Sequence, residues 1–319
     1  ENNYNISENK LENNHDINEH ITLRDKISQM IMIRMDGNFH NNESWRKKDI
    51  EYFIKKYKIG GLITFTGNVH GTYENIKYYQ SISETPLFIA SDYERGLGVF
   101  INGTLFPSNM AVAATGDTSY SYLQGKITAI EAKSIGVNFI LAPVLDIKKN
   151  KDNPIINFRS YGDNPEIVSQ YGLSFIKGIQ DQGLIACAKH YPGHGNTNTD
   201  SHTKLPIIDI SKEELYNNEL YPFKKAAFSG VKSIMTGHIV IPSIDKNNIP
   251  ATFSKKIVND ILFEDWNYNG LVITDALEMG ALTSNVWHGE SAIKAIEAGA
   301  DIILLPLNAT SAIESIYSA

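Results

Sequence analysis

The chain has 319 residues, of which 42% are hydrophobic and 20% charged, and a net charge of −7 at neutral pH. That length allows one large α/β domain or two modest ones around a substantial core. The acidic balance and scattered basic residues argue against a nucleic-acid partner, no run approaches the about 20 apolar residues of a membrane-spanning helix, and a single cysteine, Cys187, excludes an intrachain disulfide.

Residues 1–20, "ENNYNISENKLENNHDINEH", are rich in Asn and Glu and poor in apolar residues. Such a segment cannot bury enough surface to fold alone, so it reads as a flexible polar segment ahead of a domain at 21–319. The first residue is Glu1 rather than Met, which fits removal of a signal segment and a secreted or membrane-anchored protein. A trimmed chain and a cytoplasmic location are the alternatives.

Near-continuous apolar runs then recur at residues 27–35, 60–65, 86–92, 137–143, 185–190, 231–238, 270–276 and 301–306. Each suits a strand covered on both faces. Helical spacing fills the intervals at 121–136, ending at Gly136, and at 164–183, between Pro165 and Gly183. A third helix, 211–230, opens on a Ser211/Glu214 capping box, and Pro222 should kink it. Strands alternating with helices predict a parallel sheet, and eight of them predict a (β/α)8 TIM-type barrel with a mobile catalytic loop after strand five. No glycine-rich phosphate fingerprint opens a helix, which weakens a dinucleotide-binding alternative. The last segment reads as a strand and the first turns of a helix with no stop signal, so the barrel is expected to be truncated at its C-terminal helix.

Charged or imidazole groups stand at successive C-terminal strand ends: Asp92, Asp146, Lys189 with His190, His238 and Asp275. In a barrel these ends share the face that carries the active site. The fifth run continues into "KHYPGHGNTNTDSH", which brings His190, His194, Asp200 and His202 over the mouth, with Gly193 and Gly195 letting the backbone bend. Asp200 and His202 are two residues apart, so the carboxylate can orient the imidazole as a proton donor and acceptor. Asp275 ends a buried strand in "LVITDALEMG" and is a candidate nucleophile. A carboxylate facing a separate proton shuttle is the pattern of retaining glycoside hydrolysis. Other polar residues have plainer readings. His194 braces the loop, His238 lines the barrel top, Glu278 sits in a first helical turn, and Tyr161 and Tyr191 are rim or packing aromatics.

With these motifs the chain resembles family-three glycoside hydrolases of the single-barrel β-N-acetylglucosaminidase branch. The family's Lys-His-Phe-Pro-Gly-His-Gly and Asp-x-His are matched by "KHYPGHG" and "DSH", its nucleophile motif by "VITDALEMGA", and its arginine loop by "NPIINFRSYGDNPE". "GHIVIPSID" and "AGADIILLP" also fit. The resemblance covers about residues 22–315. It implies Asp275 as nucleophile, His202 as general acid/base with Asp200 as its partner, and Asp92, Arg159, Lys189 and His190 as sugar-binding residues. It implies no cofactor and no metal, and an amino-sugar glycoside as the substrate. The oligomeric state is not legible, with a monomer as the expectation. One stretch departs from the family. Where the family reads Asp-x-Glu-Gly-Gly-Arg-x-x-Arg, this chain has "DYERGLGVF", with Arg95, Leu97 and Phe100 at altered positions. Phe100 is expected to fill core, or else to stack on a sugar face.

Rival readings are a β-N-acetylglucosaminide phosphorylase, since a histidine acid/base would not repel phosphate, and a non-catalytic sugar-binding barrel. A metal-dependent hydrolase usually needs a His-x-His at the end of strand one, and this strand ends "IRMDG".

Overall fold

The computed structural model describes residues 21–197, 205–283 and 288–319. The polar segment 1–20, and Asp200 and His202, lie outside the described residues.

Each predicted apolar run overlaps one strand: β1 (Ile31–Gly37), β2 (Gly61–Gly67), β3 (Phe88–Ser91), β4 (Phe139–Ile140), β5 (Ile185–Tyr191), β6 (Ser233–Thr236), β7 (Leu271–Thr274) and β8 (Ile303–Leu304). Every pairing between strands is parallel, in the order β7-β6-β5-β4-β3-β2-β1-β8. The ring closes through a parallel bridge between Ile273 and Ile302, with Thr274 N–H donating to the Ile302 carbonyl at 3.0 Å. The architecture is the (β/α)8 barrel that the strand–helix alternation implies.

The two-residue period of the strands sorts the apolar side chains into two cores. Met32, Ile63, Ala90, Phe139, Cys187, Met235, Ile273 and Leu304 fill the barrel interior. Their neighbours Ile31, Leu62, Ile89, Ile140, Ala186, Ile234, Val272 and Ile303 face the surrounding helices. Both sides are apolar, which is why the strands read as unbroken runs. Cys187 is therefore core, and burial pushes its thiol up to about 12.

Two elements depart from expectation. The run 27–35 is not one strand: helix Leu23–Gln29 precedes β1, capped by Thr22, whose hydroxyl accepts from Asp25 N–H at 3.1 Å. Ile27 is buried on that helix, and apolar residues of a helix end joined to a strand cannot be told apart by period alone. The segment 211–230 is two helices, Lys212–Asn217 and Tyr221–Phe228, rather than one kinked helix. Ser211 caps the first through Glu214 N–H, and Pro222 sits in the first turn of the second, where its missing N–H costs nothing. Elsewhere the expected helices form at Ser119–Ser134 and Pro165–Gln180. Among the described residues no helix is long and apolar enough to cross a membrane.

Candidate active site

A cavity of about 520 Å³ opens at the C-terminal ends of the strands. Its lining brings together Asp92 and Glu94 after β3, Arg159 from the turn Asn157–Arg159, Lys189 and His190 from β5, and Asp275 after β7. Five of these six are residues the sequence singles out, drawn from positions up to 183 apart in the chain. Glu94 is the sixth.

Glu94 organises one wall. Arg159 grips it as a fork, with Nε 2.9 Å from Oε2 and Nη2 2.7 Å from Oε1. Lys189 Nζ lies 2.9 Å from Glu94 Oε1 and 2.5 Å from Asp92 Oδ1. Burial alone would raise the Glu94 carboxyl, but the Arg159 and Lys189 charges overcome it and hold it well below the usual range. Lys189 is 2% exposed. Burial would lower its ammonium, and Asp92 and Glu94 instead keep it charged, above the ordinary lysine value. This wall is a set of fixed charges, two cations bracketed by two carboxylates.

Beside it, Asp146 is fully buried and holds the start of the loop after β5. Its carboxylate accepts from His194 N–H at 2.6 Å and contacts His190 Nδ1 at 2.7 Å. Burial opposes its charge, yet His190, His194 and these bonds hold it below the ordinary carboxylate value. With Nδ1 committed to Asp146, Nε2 is the His190 nitrogen that remains for the cavity. His190 belongs to β5 itself rather than to the loop. The two loop glycines are required as expected. A side chain on Gly193, at φ +124°, would lie 3.0 Å from Glu219 Cβ, and one on Gly195 would run into the Ile147 carbonyl. Through Thr197 the loop is anchored: Thr197 Oγ1 contacts His194 Nδ1 at 2.8 Å, and Asn153 Nδ2 donates to the His194 carbonyl at 2.9 Å. His194 is thus a brace, 2% exposed, although it also lines the cavity.

Asp275 stands half-buried at the cavity wall, with Ala276 N–H donating to Oδ1 at 2.8 Å. Burial would raise its carboxyl. His238, His190, the Ala276 N–H and Lys189 reverse that, so it is held below the usual carboxylate value. His238 is buried, with Nδ1 2.8 Å from Thr252 Oγ1 and Nε2 3.0 Å from the Ala276 carbonyl. It supports the turn behind Asp275, as its plain reading implies.

Several side chains differ from expectation. Glu278 does not cap a helix, which begins at Gly280; it forms an ion pair with Arg34 at the cavity rim. Arg34 and Glu94 are site residues that sequence reasoning missed. Arg34 interrupts the apolar run "IMIRM", and Glu94 lies in the altered "DYERG" stretch, and these were the available signals. Phe100 is half-buried, packs edge-on against Phe65 with 6.1 Å between ring centroids, and also lines the cavity. Tyr161 and Tyr191 are buried packing residues, at 2% and 0% exposure.

The profile of the glycosyl hydrolase family 3 N terminal domain matches residues 22–319. A β-hexosaminidase A of Pseudoalteromonas piscicida is 35% identical over 286 residues, covering 81% of this chain and 48% of that protein. This chain therefore spans about half the length of that relative. The structure of a glycoside hydrolase family 3 β-N-acetylglucosaminidase from Paenibacillus sp. str. FPU-7 superposes with a TM-score of 0.88 at 34% identity, covering 93% of this chain and 58% of the other. A β-glucoside phosphorylase bound to 2FGlc superposes with a TM-score of 0.87 at 27% identity, covering 94% and 55%.

Proposed function

Because the chain belongs to glycosyl hydrolase family 3, we propose that it is a retaining exo-glycosidase that removes terminal β-linked N-acetylglucosamine. The observation that carries this reading is the convergence of Asp275 with the Asp92, Glu94, Arg159 and Lys189 charges in one cavity. Relatives named as hexosaminidase and β-N-acetylglucosaminidase support the choice of sugar.

The fixed charges suit a sugar. Asp92 accepts from hydroxyls, while Lys189 and Arg159 donate to them, and each is already positioned by its partners before the sugar arrives. Asp275, kept ionised by its surroundings, attacks the anomeric carbon as the bond to the leaving oxygen breaks. His202, oriented by Asp200, gives the leaving oxygen its proton. In the second step His202 takes a proton from water as the water oxygen attacks the anomeric carbon, and the Asp275 ester bond breaks. No metal or cofactor enters these steps.

A 2-fluoro glycoside inactivator tests the reading. Peptide mapping is expected to find a single label on Asp275. A label on another carboxylate would remove Asp275 from the role. The similarity to a β-glucoside phosphorylase favours a second reading, in which phosphate replaces water in the second step. Comparing turnover with and without phosphate, and identifying the released sugar, separates the two. A non-catalytic sugar-binding barrel would turn over no chromogenic glycoside under either condition.

A further inference from the structure

A second cavity, of about 460 Å³, opens beside the first at the ends of β1 and β2. Its size falls within the about 300–1,000 Å³ of small-molecule sites. The two cavities share Arg34 and Phe65. The Arg34 guanidinium lies 4.5 Å from the Phe65 ring centroid and pairs with Glu278, so a single cation on an aromatic ring forms the wall between them. The two cavities therefore adjoin across this wall.

Trp45 lies on the far side. It begins helix Trp45–Tyr52 and is 72% exposed, more than any other large hydrophobic residue described. An isolated exposed apolar side chain is ordinary. This one is not isolated. The Arg46 guanidinium sits 5.4 Å from the Trp45 ring centroid, and its Nη1 is 3.0 Å from Asp36 Oδ2. Asp36 also accepts from Asn38 N–H at 2.8 Å. The result is an indole plate bordered by a hydrogen-bonded donor and acceptor. A pyranose ring presents the matching surface, with C–H groups on its face and hydroxyls at its edge. An anionic ligand fits less well, because Arg34 and Arg46 are each already paired with a carboxylate and Asp36 and Asp49 line the cavity.

We infer that Trp45, with the Arg46–Asp36 pair, forms a subsite for the leaving portion of the substrate, and that this portion is a neutral β-linked amino-sugar oligosaccharide. The inference rests on the proposed glycosidase reading. That reading puts the terminal sugar in the first cavity, so the rest of the chain must emerge over its rim. It adds that the enzyme discriminates by chain length, a property held outside the groups that do the chemistry.

The experiment compares kcat/KM for the β-1,4-linked N-acetylglucosamine dimer, trimer and tetramer with that for an aryl β-N-acetylglucosaminide, in the wild type, Trp45→Ala and Trp45→Phe. The wild type is expected to prefer the longer oligomers. Trp45→Ala should abolish that preference, roughly three- to tenfold and mainly through KM. Trp45→Phe should restore part of it, and the aryl glycoside should be unaffected throughout. Equal wild-type values for all oligomers, or an equal loss on the aryl glycoside, would overturn the inference. Titration of tetramer binding by isothermal calorimetry, wild type against Trp45→Ala, separates this failure from failure of the glycosidase reading. If no aryl glycoside is turned over, the glycosidase reading fails. Saturable tetramer binding that depends on Trp45 would still support the subsite, and binding of equal strength in both proteins would overturn it.

Discussion

Glu94 accepts both prongs of the Arg159 guanidinium while also lying 2.9 Å from Lys189 Nζ, so one half-buried carboxylate fixes two cations of the cavity wall. Breaking a buried pair by removing one partner is strongly destabilising, because it leaves the other charge uncompensated. Lys189 retains Asp92, but Arg159 has no other ion pair among the described residues. Glu94→Gln is therefore expected to lower the stability of the fold by at most about 3–5 kcal/mol, the figure for a fully buried pair, and to lower kcat/KM by roughly 100-fold as Arg159 loses its position. Steady-state kinetics check the loss, and a melting curve shows whether the fold survives. A variant within threefold of wild type would mean that the wall does not depend on this carboxylate.

The Asp146 carboxylate serves His190 Nδ1 and His194 N–H together. Asp146→Asn keeps the shape but must turn its NH2 toward one of these donors or leave one bond unmade. An unpaired buried polar group costs about 1–3 kcal/mol. Stability is expected to fall by about that amount, and kcat/KM to fall by up to roughly 100-fold as His190 loses its orientation. A loss of stability with no change in kcat/KM would confine Asp146 to a structural role.

The eight strands and their order of occurrence were legible because each is apolar on both faces, which leaves a continuous run. Lys189, His190 and Asp275 were legible for the same reason, as polar residues that end such runs. Glu94 was harder to read. It lies two residues beyond Asp92, in a turn without periodicity, and its importance arises from Arg159 and Lys189, which are 65 and 95 positions away by residue number. Arg34 was hidden inside a strand, where one charge in an apolar run carries no direction. The boundary between helix Leu23–Gln29 and β1 was blurred because apolar residues continue across it. The pairing of Glu278 with Arg34 depends on barrel closure between β7, β8 and β1, and local sequence does not encode it.

The proton-donor role proposed for His202 predicts a dependence on the leaving group. Aryl glycosides with acidic phenols need little protonation, whereas sugar leaving groups need it fully. His202→Ala is expected to slow oligosaccharide cleavage by roughly 10²–10⁴-fold and activated aryl glycosides much less. Asp200→Ala should show the same selectivity more weakly. Rates measured across a series of substituted phenyl glycosides should show a steeper dependence on leaving-group acidity in the variant. A parallel loss on every substrate would show that His202 is not the acid.

Glu219 supplies a pH dependence with a definite sign. It is buried beneath Gly193, and its Oε2 has no hydrogen-bond partner among the described residues. Burial, reinforced by the negative charges of Asp146 and Glu214 and opposed by Lys149, raises its carboxyl to about 8. The folded protein therefore keeps a proton on Glu219 that the unfolded chain releases above its ordinary value of 4.5. Below that value both states are protonated and the group has no effect on the pH slope. Between there and about pH 8 the folded state binds more protons, so stability falls as pH rises, by at most about 1.4 kcal/mol per pH unit from this group. Glu219→Gln keeps the neutral shape and removes the titration. The difference in melting temperature, variant minus wild type, is expected to grow steadily in the variant's favour from pH 4.5 to pH 8 and then level off. A difference that stays constant across that range would show that Glu219 is ionised in the folded protein at neutral pH and finds its counter-charge elsewhere.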